Sequence, residues 1–206
     1  MHKWQNLRGP NQWPMEQNCN PCKVTIAEYM DKMNTVGLII MKSAGKILNQ
    51  EVCDIDRYFS SPFSLLRLIR YPASGGAKIG VGEHTDYGFL TMIQQDPNVG
   101  GLEARTLSGE WVSVDPVPGT FAVNIGDAMA AWSGGKFKAT PHRVLNTSND
   151  KERLSIPFFF EPSLESVFDS ECGGGLTWNE SEPVRHYGEH LYRAYIRSYP
   201  FLENNA

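Results

Sequence analysis

His84 and Asp86 stand one residue apart in G-E-H-T-D-Y-G-F-L (82–90), a segment that otherwise reads as β-strand. Side chains at i and i+2 of a strand leave the same face, so an imidazole and a carboxylate can meet at one point there, with Glu83 and Thr85 turned away. Taken alone, such a pair serves structure or surface more often than a metal. A third ligand is available in A-T-P-H-R-V-L-N, where His142 follows Pro141 and Val144 and Leu145 continue a strand. Two imidazoles and one carboxylate on one face of a metal leave its other positions open, which suits Fe(II). Zinc could use the same ligands, although a structural zinc site is normally closed by a fourth.

Eleven residues after His142 comes R-L-S-I-P-F-F-F, with Arg153 and Ser155 again at i and i+2. A guanidinium offers a planar fork to a carboxylate, and a serine hydroxyl adds a donor beside it. An inward arginine needs an anionic partner, either an acidic side chain or a bound carboxylate, and the company of His84, Asp86 and His142 favours the bound carboxylate. Leu154 and Ile156 alternate with the pair and are expected to face the opposite layer. If that register continues, Phe159 shares the inward face and is the candidate pocket residue, while Phe158 and Phe160 pack the core. Other polar residues read as structural. Asp127 caps a turn, His186 and His190 face solvent on a helix, and the glycines of S-G-G-A-K-I-G-V-G lack the ending of a phosphate loop.

The elements that must position these residues follow from periodicity. Residues 1–22 are turn-rich and read as an extended lead-in with no core of its own. Apolar residues then recur at spacings of three and four from Val24 to Asn49, predicting one long amphipathic helix. From Ser64 to Glu161 short β-like runs alternate with turn signals such as D-P-N-V-G-G and P-V-P-G, the spacing of an all-β sandwich or barrel. A second helix is predicted from Val184 to Tyr199. The division is therefore 1–63 lead-in and helix, 64–162 barrel, and 163–206 a helical extension.

Composition narrows the partners. The net charge is −4 with no long basic run, which argues against nucleic acid or an anionic membrane as main partner. No stretch approaches the roughly 18 consecutive apolar residues of a membrane span, and the N-terminus lacks the apolar core of a signal peptide. A cytoplasmic protein acting on a small molecule is expected. Of Cys19, Cys22, Cys53 and Cys172, the first two have zinc-knuckle spacing but no second C-x-x-C to complete a site, and they read as reduced thiols.

In order along the chain, R-Y-P (70–72), H-T-D-Y-G (84–88), G-G-L-E-A (100–104), N-I-G-D (124–127), T-P-H-R-V (140–144) and R-L-S-I-P-F-F (153–159) resemble the isopenicillin N synthase-like branch of the 2-oxoglutarate/Fe(II) dioxygenases. The resemblance implies a mainly β protein, a double-stranded β-helix (jelly-roll) barrel with flanking α-helices. It implies His84, Asp86 and His142 as iron ligands, and Arg153, Ser155 and Tyr71 as contacts of the 2-oxoglutarate carboxylate. Ile69 stands where plant members often carry Asn, so that contact is not carried over. The implied cofactors are Fe(II), 2-oxoglutarate and O2, with ascorbate as accessory reductant. The implied reaction is hydroxylation, desaturation or cyclisation of a small organic substrate, forming succinate and CO2. Family members usually carry a longer region before G-P-N-Q-W-P, so the resemblance also implies an N-terminal region largely missing. Two alternatives stay open: a same-fold Fe(II) oxidase that does not use 2-oxoglutarate, and a truncated inactive or regulatory form that binds a partner.

Overall fold

The computed structural model describes residues 3–14, 19–48, 55–73, 78–146, 148, 150–168, 176–177 and 183–201. Two compact units result: residues 65–130 with 135–160, and residues 1–64 with 131–134 and 161–206.

The first unit is built from strands β1 (Phe63–Leu66), β2 (Ile69–Tyr71), β3 (Lys78–His84), β4 (Leu90–Gln95), β5 (Leu102–Arg105), β6 (Trp111–Ser113), β7 (Ala122–Ile125), β8 (His142–Asn146) and β9 (Arg153–Glu161). One sheet runs β1-β9-β4-β7, with β2 also paired to β9, and the other runs β3-β8-β5-β6. The β3–β8, β5–β8, β4–β9 and β4–β7 ladders are all antiparallel. This is the jelly-roll architecture. Its core lies between the sheets, where Tyr71 and Ile93 of one meet Leu102 and Val144 of the other, with Ile69, Val81, Val114 and Ala122 packed around them. Each such side chain contributes roughly 1.5–3 kcal/mol on leaving water.

The β-like run L-L-R-L-I-R-Y (65–71) is divided between β1 and β2. The division has a cause on the facing strand. In an antiparallel pair the N–H and C=O of one residue point to the same neighbour. The Pro157 carbonyl accepts from the Arg67 N–H at 3.0 Å, so the donor that proline lacks would also have pointed there. The ladder breaks opposite the residue that cannot sustain it. Leu154, expected to face a second layer, is 47% exposed, because the outer face of β9 meets solvent at that point.

The second unit holds α1 (Cys19–Ile47), α2 (Ile55–Tyr58) and α4 (Tyr187–Ser198). A short 3-10 turn, Lys3–Leu7, and the two-stranded pair β10 (Leu176–Thr177) and β11 (Pro183–Val184) complete it. A further helix, α3 (Asp127–Trp132), bridges the sequence boundary between the units and was not evident from periodicity, being a single short run. The lead-in differs from expectation in two ways. Cys19–Cys22 form the first turn of α1, where Pro21 costs no intrahelical hydrogen bond. Trp4 is 5% exposed, and a Cβ on Gly188 would fall 2.4 Å from its ring, so the lead-in does supply a core residue. His190 is 2% exposed and stacks on Tyr187 at 5.7 Å, so it does not face solvent, and His186 lies 5.8 Å from Trp4. Cys22 is a free, exposed thiol, while Cys53, Cys172, Asn49 and the S-G-G-A turn lie outside the described residues. No described helix is long and apolar enough to cross a membrane.

Gly101 packs most tightly in the barrel. Its φ is +115°, and an added Cβ would lie 2.1 Å from the Leu145 carbonyl oxygen. Gly101→Ala is therefore expected to lower the unfolding free energy by roughly 2 kcal/mol or more. Gly9→Ala, where nothing lies within 4 Å, serves as control in urea titration. Coincident midpoints for the two variants would contradict this account of the turn.

Candidate metal centre and carboxylate clamp

His84 closes β3 and His142 opens β8, and the two are paired directly across the ladder. Cross-strand partners project from one face, which brings the rings to 4.2 Å between centroids. Each ring is held through its Nδ1, His84 against the Gly82 carbonyl at 2.8 Å and His142 against the Thr140 carbonyl at 2.9 Å. A carbonyl can only accept, so each Nδ1 carries a proton, which leaves Nε2 as the ring atom that a metal would take.

Asp86 completes the cluster from beyond the end of β3, in the bend that leads to β4 rather than within a continuous strand. Its Oδ1 is 3.9 Å from the Nε2 of both histidines, and one ligand atom from each of the three residues lies within 4.8 Å of the others. Its Oδ2 is turned away and accepts from Thr91 Oγ1 at 2.5 Å and Asn124 Nδ2 at 2.7 Å. The main chain of the bend is fixed as well. Asp127 donates its N–H to the Asp86 carbonyl at 2.8 Å, Ala128 to Tyr87 and Gly88, and Gly126 to Phe89. This approach is close enough that a Cβ on Gly126 would lie 2.3 Å from the Gly88 carbonyl oxygen. Asp127, expected to cap a turn, stands in the first turn of α3.

The opposite wall of the same cleft comes from β9. Arg153, Ser155, Pro157 and Phe159 line it at alternate positions, together with Tyr71, Ile69 and Arg67. The cleft has a volume of about 90 Å3 and also contains His84, Asp86 and His142, so all seven sequence-predicted residues share one cavity. Tyr87 and Phe89 do not line it. Arg153 is 1% exposed. Its Nη2 donates to Gln95 Oε1 at 3.1 Å and its guanidinium stands 5.2 Å from the Tyr71 ring, but Nε and Nη1 have no acceptor among the described residues. Burial pulls the guanidinium pKa down, opposed by Tyr71 and by the charge of Asp96. Burial likewise raises the Tyr71 phenol, opposed by Arg153.

The sequence profile of the 2OG-Fe(II) oxygenase superfamily matches residues 62–162, the stretch that supplies both walls. Over those residues the chain belongs to that superfamily. A homoarginine-6-hydroxylase from Glycine max is 36% identical over 196 residues, covering 90% of this chain and 58% of its own length. A 2-oxoglutarate-dependent dioxygenase from Penicillium crustosum is 33% identical over 163 residues, covering 77% of this chain and 50% of its own. Among solved structures, a full-length Neurospora crassa protein in complex with alpha-KG aligns with a TM-score of 0.72 at 27% identity, over 90% of this chain and 61% of that one. The chain thus spans less than two thirds of the length of these relatives.

The residues present fit the groups that a 2OG-Fe(II) oxygenase carries. Two neutral imidazole nitrogens and one carboxylate oxygen form an open-sided donor set for Fe(II). A buried guanidinium with two unused donors, beside the buried Ser155 hydroxyl, suits one carboxylate of 2-oxoglutarate. Sequence reasoning missed the residues that hold these groups in place: Thr91, Asn124 and Gln95. A partial signal was present in Asn124, the one polar residue of the run A-V-N-I, but its pairing with Thr91 across the ladder appears only in the fold. Removing such an outer partner of a ligating carboxylate typically weakens metal binding about 10–100-fold. Thr91→Val is expected to do so in titrations with Mn(II), with the fold retained by circular dichroism. Unchanged Mn(II) affinity would show that Asp86 does not depend on its brace.

Proposed function

We propose that the chain is the catalytic barrel of an Fe(II)- and 2-oxoglutarate-dependent oxygenase that oxidises a small organic substrate. The observation that carries the reading is the placement of a two-histidine, one-carboxylate cluster and an unsatisfied buried guanidinium on opposite walls of one cleft. With Fe(II), 2-oxoglutarate and O2 bound, the cosubstrate is oxidised to succinate and CO2 and the substrate is hydroxylated, desaturated or cyclised.

The chain's own residues hold and shield. His84, Asp86 and His142 hold the metal, and the Nδ1 hydrogen bonds to Gly82 and Thr140 leave Nε2 as the atom each ring gives to it. Arg153 and Ser155 bind the distal carboxylate, and Tyr71 packs beside them. Phe159, Pro157, Val81 and Leu102 keep the cleft apolar, which strengthens each charge interaction inside it. Relatives act on or bind varied molecules: the name of the Glycine max enzyme gives homoarginine, and the Neurospora crassa protein was also solved with thymine. A small-molecule ligand is common to these cases. A cytoplasmic address accompanies the reading, supported by the free thiol of Cys22, which suits a reducing compartment.

The test is 2-oxoglutarate binding followed by succinate formation after anaerobic Fe(II) loading and admission of air. Arg153→Ala is expected to weaken 2-oxoglutarate binding roughly 100-fold, as loss of a buried charge-assisted pair does. Retention of full affinity by Arg153→Ala would favour a barrel oxidase that does not use 2-oxoglutarate. Absence of binding by the parent protein would sink the reading.

A further inference from the structure

The cleft holds a second guanidinium with no assigned task. Arg67 lies between β1 and β2, where its N–H is fixed to the Pro157 carbonyl at 3.0 Å. Its side chain lies over the ring of Phe159, 5.4 Å from guanidinium carbon to ring centroid. Both contacts come from β9, two residues apart, so backbone and side chain are held by one strand. Three other arginines of the barrel face carboxylates: Arg70 meets Glu152, Arg105 meets Glu83, and Arg143 meets Glu103. Arg67 meets none among the described residues, although it is exposed and free to choose a partner.

From these observations we infer that Arg67 is a specificity-determining residue of the proposed oxygenase site, and that its substrate carries a carboxylate. This rests on the oxygenase reading. Charge within the cleft supports it. Arg67, Arg153 and Asp86 are its formally charged lining residues, the two histidines being neutral. A divalent cation on Asp86 and the Arg153 guanidinium together carry two net positive charges, which the 2-oxoglutarate dianion balances. The charge of Arg67 is then unmatched, and a monoanionic substrate matches it. The contact with Phe159 is made through the ring face, and no hydrogen bond or ion pair occupies the guanidinium donors among the described residues. The aromatic face also removes water from one side of the cation, so an anion pairs with it more strongly than with an arginine on open surface. The remaining lining near it, Ile69, Pro157 and Phe159, suits an apolar body attached to that carboxylate.

The experiment uses the Fe(II)-loaded protein held anaerobically with saturating 2-oxoglutarate, titrated calorimetrically with hexanoate, phenylacetate and their carboxamides. At least one acid is expected to bind roughly tenfold or more tightly than its amide, the scale of a charge-assisted pair. Arg67→Gln is expected to erase that preference, and Arg67→Lys to restore part of it, since lysine keeps the charge and loses the fork. Affinity for 2-oxoglutarate itself, measured first, is expected to be the same in all three proteins. Failure of the parent to bind 2-oxoglutarate overturns the oxygenase reading. Normal 2-oxoglutarate binding with no acid preferred over its amide overturns the Arg67 assignment alone. Loss of 2-oxoglutarate affinity in Arg67→Gln also overturns it, by placing Arg67 in the cosubstrate clamp.

Discussion

The carboxylate of Asp86 is divided between two tasks, and most of the barrel's polar architecture serves that division. One oxygen is offered to the two imidazoles, and the other is tied to Thr91 and Asn124. An anion only 9% exposed needs such partners, because desolvation without them costs several kcal/mol. The two hydrogen bonds offset that cost and also fix the rotation of the carboxylate, so that Oδ1 points where a metal must sit. Four strands meet in the arrangement: Thr91 from β4, Asn124 from β7, and the histidine pair joining β3 to β8. Gly126 contributes by being small, since any side chain there would push away the bend that carries Asp86.

Arg153 sets the opposite balance. Its charge is buried against the Gln95 amide oxygen and the Tyr71 phenol, with Nε and Nη1 left without a hydrogen-bond partner among the described residues. Such a group weakens the empty protein and is compensated when an anion arrives. Any ligand that binds only the folded state adds stability in proportion to the logarithm of its concentration over its dissociation constant. An anion paired with Arg153 would therefore stabilise the barrel and offset the burial that lowers the Arg153 pKa. A cleft of this kind is a place where folding energy is given up for function.

Much of this was legible in the sequence, for a physical reason. Period-two alternation places residues on faces whatever the topology, so R-x-S showed its geometry from spacing alone and Phe159 lies on the same period, whereas Asp86 reaches the histidines from the bend beyond β3 and not by strand alternation. Single braces were harder to see. Thr91, Asn124 and Gln95 act through partners 5, 38 and 58 residues away, and no local pattern reveals which strand will lie beside which. The helix of α1 was legible in its middle but not at its start, because C-N-P-C reads as a turn until Pro21 is allowed into a first helical turn. His190 looked solvent-facing because its partner Tyr187 lies three positions earlier in a helix whose buried side only packing decides.

The spacing between the two walls is set by register. Along the β4–β9 ladder Thr91 stands opposite Phe159 and Gln95 opposite Ser155. The brace of the Asp86 carboxylate and the brace of the arginine are thus four residues apart on one face of β4, roughly 13 Å at the usual rise per residue. The same ladder fixes Ser155 and Phe159 on β9, so metal end, carboxylate anchor and pocket aromatic are measured against one pair of strands. A slip of β9 by one residue against β4 would turn Arg153, Ser155 and Phe159 to the other face while Thr91 and Gln95 stayed in place. Loss of any single side chain leaves the rest in place. The face of β4 and β9 turned away from the cleft holds that register, with Met92 and Phe158 paired there at 0% exposure, so apolar neighbours with no chemistry of their own matter to the site.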